Sequence, residues 1–275
     1  RVLLTPVFVL LMVERRPWAA FAVFVAAGLT DALDGFTARA LKLKSTLCAL
    51  NAHEIREIKR FAEEELGLPF RFDALLNARC DGSLRPLDVR LAPEEVVALD
   101  LADAERIRAL RDLAHRTPAA SPLPTGVAPL YVCGGGAHSF AIDPYGRLRA
   151  CALSAGDGFD LKSDRFAAGW DYYLSRVREL KIIFENKCTR CGLRSLCGMC
   201  PANGELECGD PRQPVDFLCH VAHLRAFAMK MDIPAHGPCE YCPGGRHHGE
   251  MLRAAERLRA TRHGSGLFVS VSSRS

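Results

Sequence analysis

Cysteine is the residue type in this chain whose number and spacing point to chemistry. Twelve occur in 275 residues, and ten of them lie between Cys133 and Cys242. The tightest run is Cys188-x2-Cys191-x5-Cys197-x2-Cys200, with Cys219 beyond it. A C-x2-C pair sets two sulfurs on one turn, where backbone N–H groups support the thiolates. That arrangement suits zinc or an iron–sulfur cluster. Upstream, Cys133 is followed by twelve residues, Gly146, four residues and Cys151. Cys208 and the pair Cys239-x2-Cys242, trailed by His247 and His248, are additional candidate ligands. Cys48 and Cys80 stand alone. Inert core cysteines would not fall at this spacing. A disulfide framework would go with a secretory signal peptide, and the N-terminal apolar run lacks a cleavage site of that kind. A bound metal in a reducing, cytoplasmic setting is therefore the expectation.

The elements that must position these thiols are legible in outline. With 49% hydrophobic and 25% charged residues, the chain has the composition of a globular protein and not of a disordered one. A net charge of +4 gives no electrostatic case for nucleic acid as a partner. Residues 2–13 and 18–29 are two apolar runs of about 12 residues, split by Glu14-Arg15-Arg16-Pro17. Each is shorter than the roughly 20 residues a spanning helix needs, so an apolar helical hairpin in contact with a membrane is the expectation for residues 2–29. Next, STLCAL reads as a strand. Asn51 with Glu54 reads as a capping box, and a helical pattern runs to Gly67. PFRFDALL alternates as a second strand, parallel to the first. Asn51 and His53 at the strand end read as a cap and a surface side chain. One helix is expected from Pro93 to Arg116, and a Pro/Ser/Gly-rich linker over 117–129. SFAIDPYGRLRAC reads as a hairpin that brings Cys133 towards Cys151. MLRAAERLRATRHG reads as a solvated basic helix with Leu252, Ala255 and Leu258 as its apolar stripe.

The cysteine order C-x12-G-x4-C, gap, C-x2-C-x5-C-x2-C, gap, C resembles the SPASM domain. That domain is the auxiliary iron–sulfur module of radical S-adenosylmethionine enzymes that modify peptides and proteins. The departure is one residue fewer before Cys200. The resemblance implies two [4Fe–4S] clusters. Cys133, Cys151 and Cys200 would serve the first, and Cys188, Cys191, Cys197 and Cys219 the second. Cys208, Cys239 and Cys242 stay open as extra ligands, with zinc as the alternative metal. The C-x3-C-x2-C triplet that holds the catalytic cluster of that family occurs nowhere in the sequence. S-adenosylmethionine is therefore not expected to bind this chain alone, and no catalytic residue is assigned. A peptide or protein substrate is the partner the resemblance implies.

The N-terminus resembles another family. Asp31, Asp34, Gly35, Ala38 and Arg39 spell D-x2-D-G-x2-A-R behind an apolar flank. This is similar to the opening of the CDP-alcohol phosphatidyltransferase signature, a family of membrane enzymes of phospholipid synthesis. Two carboxylates three apart share a helix face and can hold a divalent cation. The second aspartate pair of that signature is absent from the following ALKLKSTLCALNAHE.

The expected class is α/β. Residues 1–44 form an apolar helical segment, and residues 45–129 the incomplete end of a parallel (β/α) barrel with a linker. Residues 130–245 form a small cysteine-rich α+β domain of SPASM type, followed by a basic helix and tail over 246–275. The expected function is iron–sulfur binding without catalysis by this chain alone. A membrane phosphatidyltransferase and a zinc-ribbon interaction module are the alternatives. A chain that begins at Arg1 and joins pieces of two families reads as a truncated or chimeric product.

Overall fold

The computed structural model describes residues 18–19, 43–116, 123–154, 156–231, 233 and 239–263. Within these the chain mixes helices and short strands and forms no closed barrel. It divides into two compact units, residues 1–47 with 51–73, and residues 48–50 with 74–275.

In the first unit, β1 (Leu43–Thr46) pairs in parallel with β2 (Phe70–Asp73), Leu43 opposite Phe70 and Thr46 opposite Asp73. The strand begins before STLCAL and ends inside it. The reason lies in Asn51, whose amide donates to the Thr46 carbonyl at 3.0 Å and ends the strand there. Asn51 makes no side-chain cap, so the anticipated capping box does not form. The connection is a 3-10 turn (Ala52–Glu54), α1 (Ile55–Arg60) and a π-turn (Phe61–Glu65). Gly67 ends it at φ +65°, a conformation costly for any residue with a Cβ. His53 is exposed and lies 3.8 Å from the carboxylate of its neighbour Glu54.

In the second unit, the expected helix 93–116 is two helices. α2 (Pro93–Ala102) and α3 (Ala104–Arg116) are separated by Asp103, whose backbone is extended. Its carboxylate accepts the N–H groups of Glu105 and Arg106 and so caps α3. Asp sits at the break because its short acceptor side chain serves orphan N–H groups better than it serves a helix interior. The described end of the linker-like stretch is bonded in place. Leu123, Gly126 and Leu130 donate to Thr189, Ile182 and Leu180, and Ala128 is buried.

The hairpin forms as read, β3 (Ala141–Ile142) against β4 (Arg147–Arg149), and a third strand, β5 (Phe159–Asp160), adds to β4. Asp143 holds the turn by accepting from the N–H groups of Tyr145 and Arg147 and from the Arg149 guanidinium. Gly146 completes the turn at φ +79°. Leu148, Ala150 and Leu174 bury beneath it, and Leu174 opens α4 (Leu174–Glu179). Helices α5 (Pro201–Cys208), α6 (Asp216–Ala228) and α7 (His248–His263) follow.

Helices α2, α6 and α7 pack against one another. They bury Val96, Val97 and Leu101 from the first, Leu218, Val221, Ala222 and Leu224 from the second, and Met251, Ala254 and Ala255 from the third. Thus α7 is a core helix and not a solvated one, and its inner face carries Met251 where Leu252 was expected; Leu252 is exposed. The packing is locked by Asp100 on α2, which is fully buried. It receives Arg225 of α6 at 2.7 Å and Arg106 of α3 at 2.9 Å. A buried carboxylate requires such partners. Removing it leaves two guanidinium groups uncompensated, so Asp100→Ala should lower unfolding stability by about 3 kcal/mol in urea titration. A loss below about 1 kcal/mol would show that water reaches these groups and that the triad does not hold the helices.

Candidate metal centre

The loop carrying Cys188, Cys191, Cys197 and Cys200 is held by side chains that bond to its own backbone. The Asn186 carbonyl oxygen of the side chain accepts from the N–H of Cys188 at 2.9 Å and of Thr189 at 3.1 Å. The N–H of Leu193 points at the Cys191 sulfur, 3.3 Å away, an N–H···S contact of the kind that steadies a metal-bound thiolate. Arg194 donates to the carbonyls of Cys188 and Thr189 and closes the turn. Leu193 and Leu196 anchor it in the core. Cys200 sits at the N-cap of α5, where the N–H groups of Ala202 and Asn203 face its sulfur.

A second arm comes from α6. Cys219 and His223 are one helical turn apart and therefore share a face, and both are buried. A third arm is the loop holding Cys239 and Cys242, also buried. Gly245 makes this loop feasible, because an added Cβ would collide with the carbonyls of Cys239 and Glu240. Two contacts draw the arms together. Lys187, next to Cys188, pairs with Glu240, next to Cys239, at 2.7 Å. Tyr241 donates to Asp216 at the start of α6, also at 2.7 Å.

The arms enclose a cavity of about 420 Å³. Cys133, Cys188, Cys191, Cys197, Cys200, Cys219, Cys239 and His223 line it. Two neighbourhoods can be distinguished electrostatically. The charge on Cys200 is felt with those of Cys133 and Cys151, and that on Cys188 with those of Cys197, Cys191 and Cys239. At the tightest point, the ligand atoms of Cys219, His223 and Cys239 all lie within 4.8 Å of one another. Cys242 Sγ stands 3.3 Å from His223 Nε2.

Burial pushes the Cys188 thiol up to about 12 and the Cys197 thiol up to about 11. The Cys219 thiol is raised by its hydrogen bond with Cys239 and then by burial. Cys242 is raised to about 12 by burial and then by Cys239. Burial would lower the Lys187 ammonium, but hydrogen bonding to Glu240 and the charges of Cys219 and Cys239 outweigh it and raise it. At neutral pH these thiols hold their protons until a cation replaces them.

Of the seven cysteines assigned from the pattern, six line the cavity, and Cys151 lies beside it through its coupling to Cys200. Cys239 joins the group that includes Cys219 and His223, and Cys242 stands beside it against His223 Nε2. Cys208 is exposed at the end of α5, with Glu207 and Asp210 as the charges acting on it. Cys80 donates to the carbonyl of Ala152, adjacent to Cys151. Asp31, Asp34 and, apart from Trp18 and Ala19, residues 2–29 lie outside the described residues. Among the described residues, no helix is long and apolar enough to cross a membrane. The residue that sequence reading missed is His223. Its signal was Cys219-x3-His223 ahead of Cys239-x2-Cys242, a helical i, i+4 pair followed by a C-x2-C turn. His247 and His248, the histidines singled out beforehand, contact Glu250 and the Tyr241 carbonyl.

A family model described as CDP-alcohol phosphatidyltransferase matches residues 1–50, six residues past the stretch in which the motif was read. No curated protein and no solved structure matches the chain.

Metal loading must release protons from thiols whose pKa lies above neutrality, so affinity should rise with pH. Chelator competition with zinc at pH 6 and pH 8 should show tighter binding at pH 8, with proton release by calorimetry. Equal affinity at both values would mean that the buried thiols are not the ligands.

Proposed function

We propose that the cysteine-rich part of the second unit is an iron–sulfur binding module of the SPASM type. The observation that carries this reading is the convergence of six of its seven predicted ligand cysteines on one cavity. The donor set fits a cluster. Cys188, Cys191 and Cys197 act on one another electrostatically, yet among the described residues they form no group as tight as one ion needs. The ligand sulfurs of a polynuclear cluster stand farther apart than those of a single ion. Cys188, Cys191 and Cys197 would hold one centre, with Cys219 assigned to it by the resemblance. Cys133, Cys151 and Cys200 would hold the other, with Cys80 near Cys151 as a fourth candidate. Such centres supply electron transfer when bound, and their potentials follow from N–H···S contacts and burial. This chain's part is to hold them, through the Asn186 and Arg194 loop contacts and the Lys187–Glu240 pair, in the service of a peptide- or protein-modifying partner. Without the C-x3-C-x2-C triplet, S-adenosylmethionine cleavage is not expected of this chain.

Anaerobic reconstitution with iron and sulfide tests the reading. Absorbance near 400 nm and matching iron and sulfide counts are expected. Cys188→Ser should remove one centre and Cys133→Ser the other. A chain that takes up no iron while remaining folded overturns the proposal.

The match of residues 1–50 supports a second reading, a membrane phosphatidyltransferase dependent on a divalent cation. The second aspartate pair of that signature is missing, and two carboxylates alone bind a hydrated cation weakly. We therefore expect no turnover of a CDP-linked lipid donor by the chain in membranes. Turnover that disappears in Asp31→Asn would reverse this assignment.

A further inference from the structure

His223 is buried in the middle of the cysteine arms, yet the iron–sulfur reading assigns it no role. Its Nδ1 lies 2.7 Å from the carbonyl oxygen of Cys219, one turn back in α6. A carbonyl can only accept, so Nδ1 carries the proton, and Nε2 is left as a lone pair. Metal-binding histidines are commonly set in this way, with the other ring nitrogen donating to a backbone carbonyl. The Nε2 lone pair faces sulfur, Cys242 at 3.3 Å and Cys239 at 3.5 Å. With Zn–S near 2.3 Å and Zn–N near 2.0 Å, a tetrahedral ion separates its nitrogen and sulfur ligands by about 3.5 Å. The spacing around Nε2 therefore matches one edge set of such a tetrahedron. Cys219 completes the donors. Its sulfur lies 3.7 Å from His223 Nδ1 and forms one group, within 4.8 Å, with the His223 and Cys239 ligand atoms, so it is the donor that has to turn towards Nε2.

We propose that His223 Nε2 and the thiolates of Cys219, Cys239 and Cys242 bind one zinc ion as a closed structural site, distinct from the iron–sulfur centres. All four side chains are buried and all are protein ligands, so no position is open for water or substrate, which is the mark of a structural site. The ion replaces three thiol protons, which leave to solvent. It cross-links α6 to the loop that leads into α7. Cys219 then belongs to the zinc, and Cys188, Cys191 and Cys197 remain as three ligands for their cluster. The chemistry of this donor set also favours zinc, because one imidazole among thiolates is a common structural zinc combination.

The test is metal analysis of the full chain, purified anaerobically after growth with iron and zinc supplied. One zinc per chain is expected. His223→Asn should reduce zinc at least tenfold while leaving iron unchanged, and Cys188→Ser should do the reverse. His223→Cys should keep the zinc, and its cobalt-substituted form should show the spectral shift from three sulfurs and one nitrogen to four sulfurs. If His223→Asn does not fold, the His223→Cys result decides alone. The proposal is overturned if the wild-type chain holds no zinc, if His223→Asn retains it, if His223→Asn loses iron instead, or if the His223→Cys cobalt spectrum is unchanged. Zinc present in a chain that takes up no iron would defeat the iron–sulfur reading and leave this site standing.

Discussion

Burying a thiol and ionising it are opposed, and the second unit is arranged around that conflict. Seven cysteines line one cavity of about 420 Å³. Burial raises Cys188, Cys197 and Cys242 well above neutrality, so without a cation these sulfurs remain weakly polar groups that contribute modest packing. Apolar side chains, among them Leu123, Leu130, Ile182, Phe184 and Val215, share the cavity wall with them. Further apolar packing lies in the α2–α6–α7 contact and beneath the hairpin.

The arms are positioned by charge as much as by packing. Asp100 fixes Arg225, and Arg225 in turn donates to the carbonyl of Leu196, the residue before Cys197. The ion pair that locks the helices thus also sets the height of the cysteine loop against α6. On the next flank, Arg90 pairs with Glu207 of α5 at 2.7 Å and lies 3.9 Å over the Phe217 ring on α6. Both partners of that pair are largely buried, so each relies on the other for compensation. Lys187 and Glu240 repeat the pattern at the far side. Each pair joins a segment bearing a cysteine to one that is distant in sequence, and together they bring into one cavity thiols that spacing alone would leave unassigned.

Local signals in the sequence were read well where one or two residues decide the conformation. Gly67 ends its helix, Asp143 and Gly146 make the turn, and the parallel pairing of the first two strands follows from a short strand–helix–strand connection. They were misread where a partner beyond the residue's own turn decides. Asn51 looks like a cap but serves the Thr46 carbonyl. The break at Asp103 depends on α3 turning to meet Arg106 with Asp100. The inner face of α7 is chosen by α2 and α6, which select Met251 over Leu252. For the candidate site, cysteine spacing pointed to the thiols that line the cavity. It could not separate one metal neighbourhood from another, because that depends on Lys187–Glu240 and on the orientation of α6.

Distance between donor atoms makes that separation. A single tetrahedral ion needs ligand atoms nearly in contact, whereas a cubane holds its cysteines at its corners and keeps them apart. The cysteines of the 188–200 loop are spread along the cavity wall, tied to backbone N–H groups and facing open volume. The group around His223 lines the same cavity but is compact, three of its ligand atoms lying within 4.8 Å of one another. On the proposed assignment, the same fold offers two kinds of environment to metals that compete for the same thiols. The imidazole biases one of them, since a buried ring whose Nδ1 is committed to the Cys219 carbonyl presents Nε2 to the sulfurs of Cys239 and Cys242. Metal selection in this chain can thus rest on geometry and ligand type, in a cell where raw affinity would not distinguish the sites.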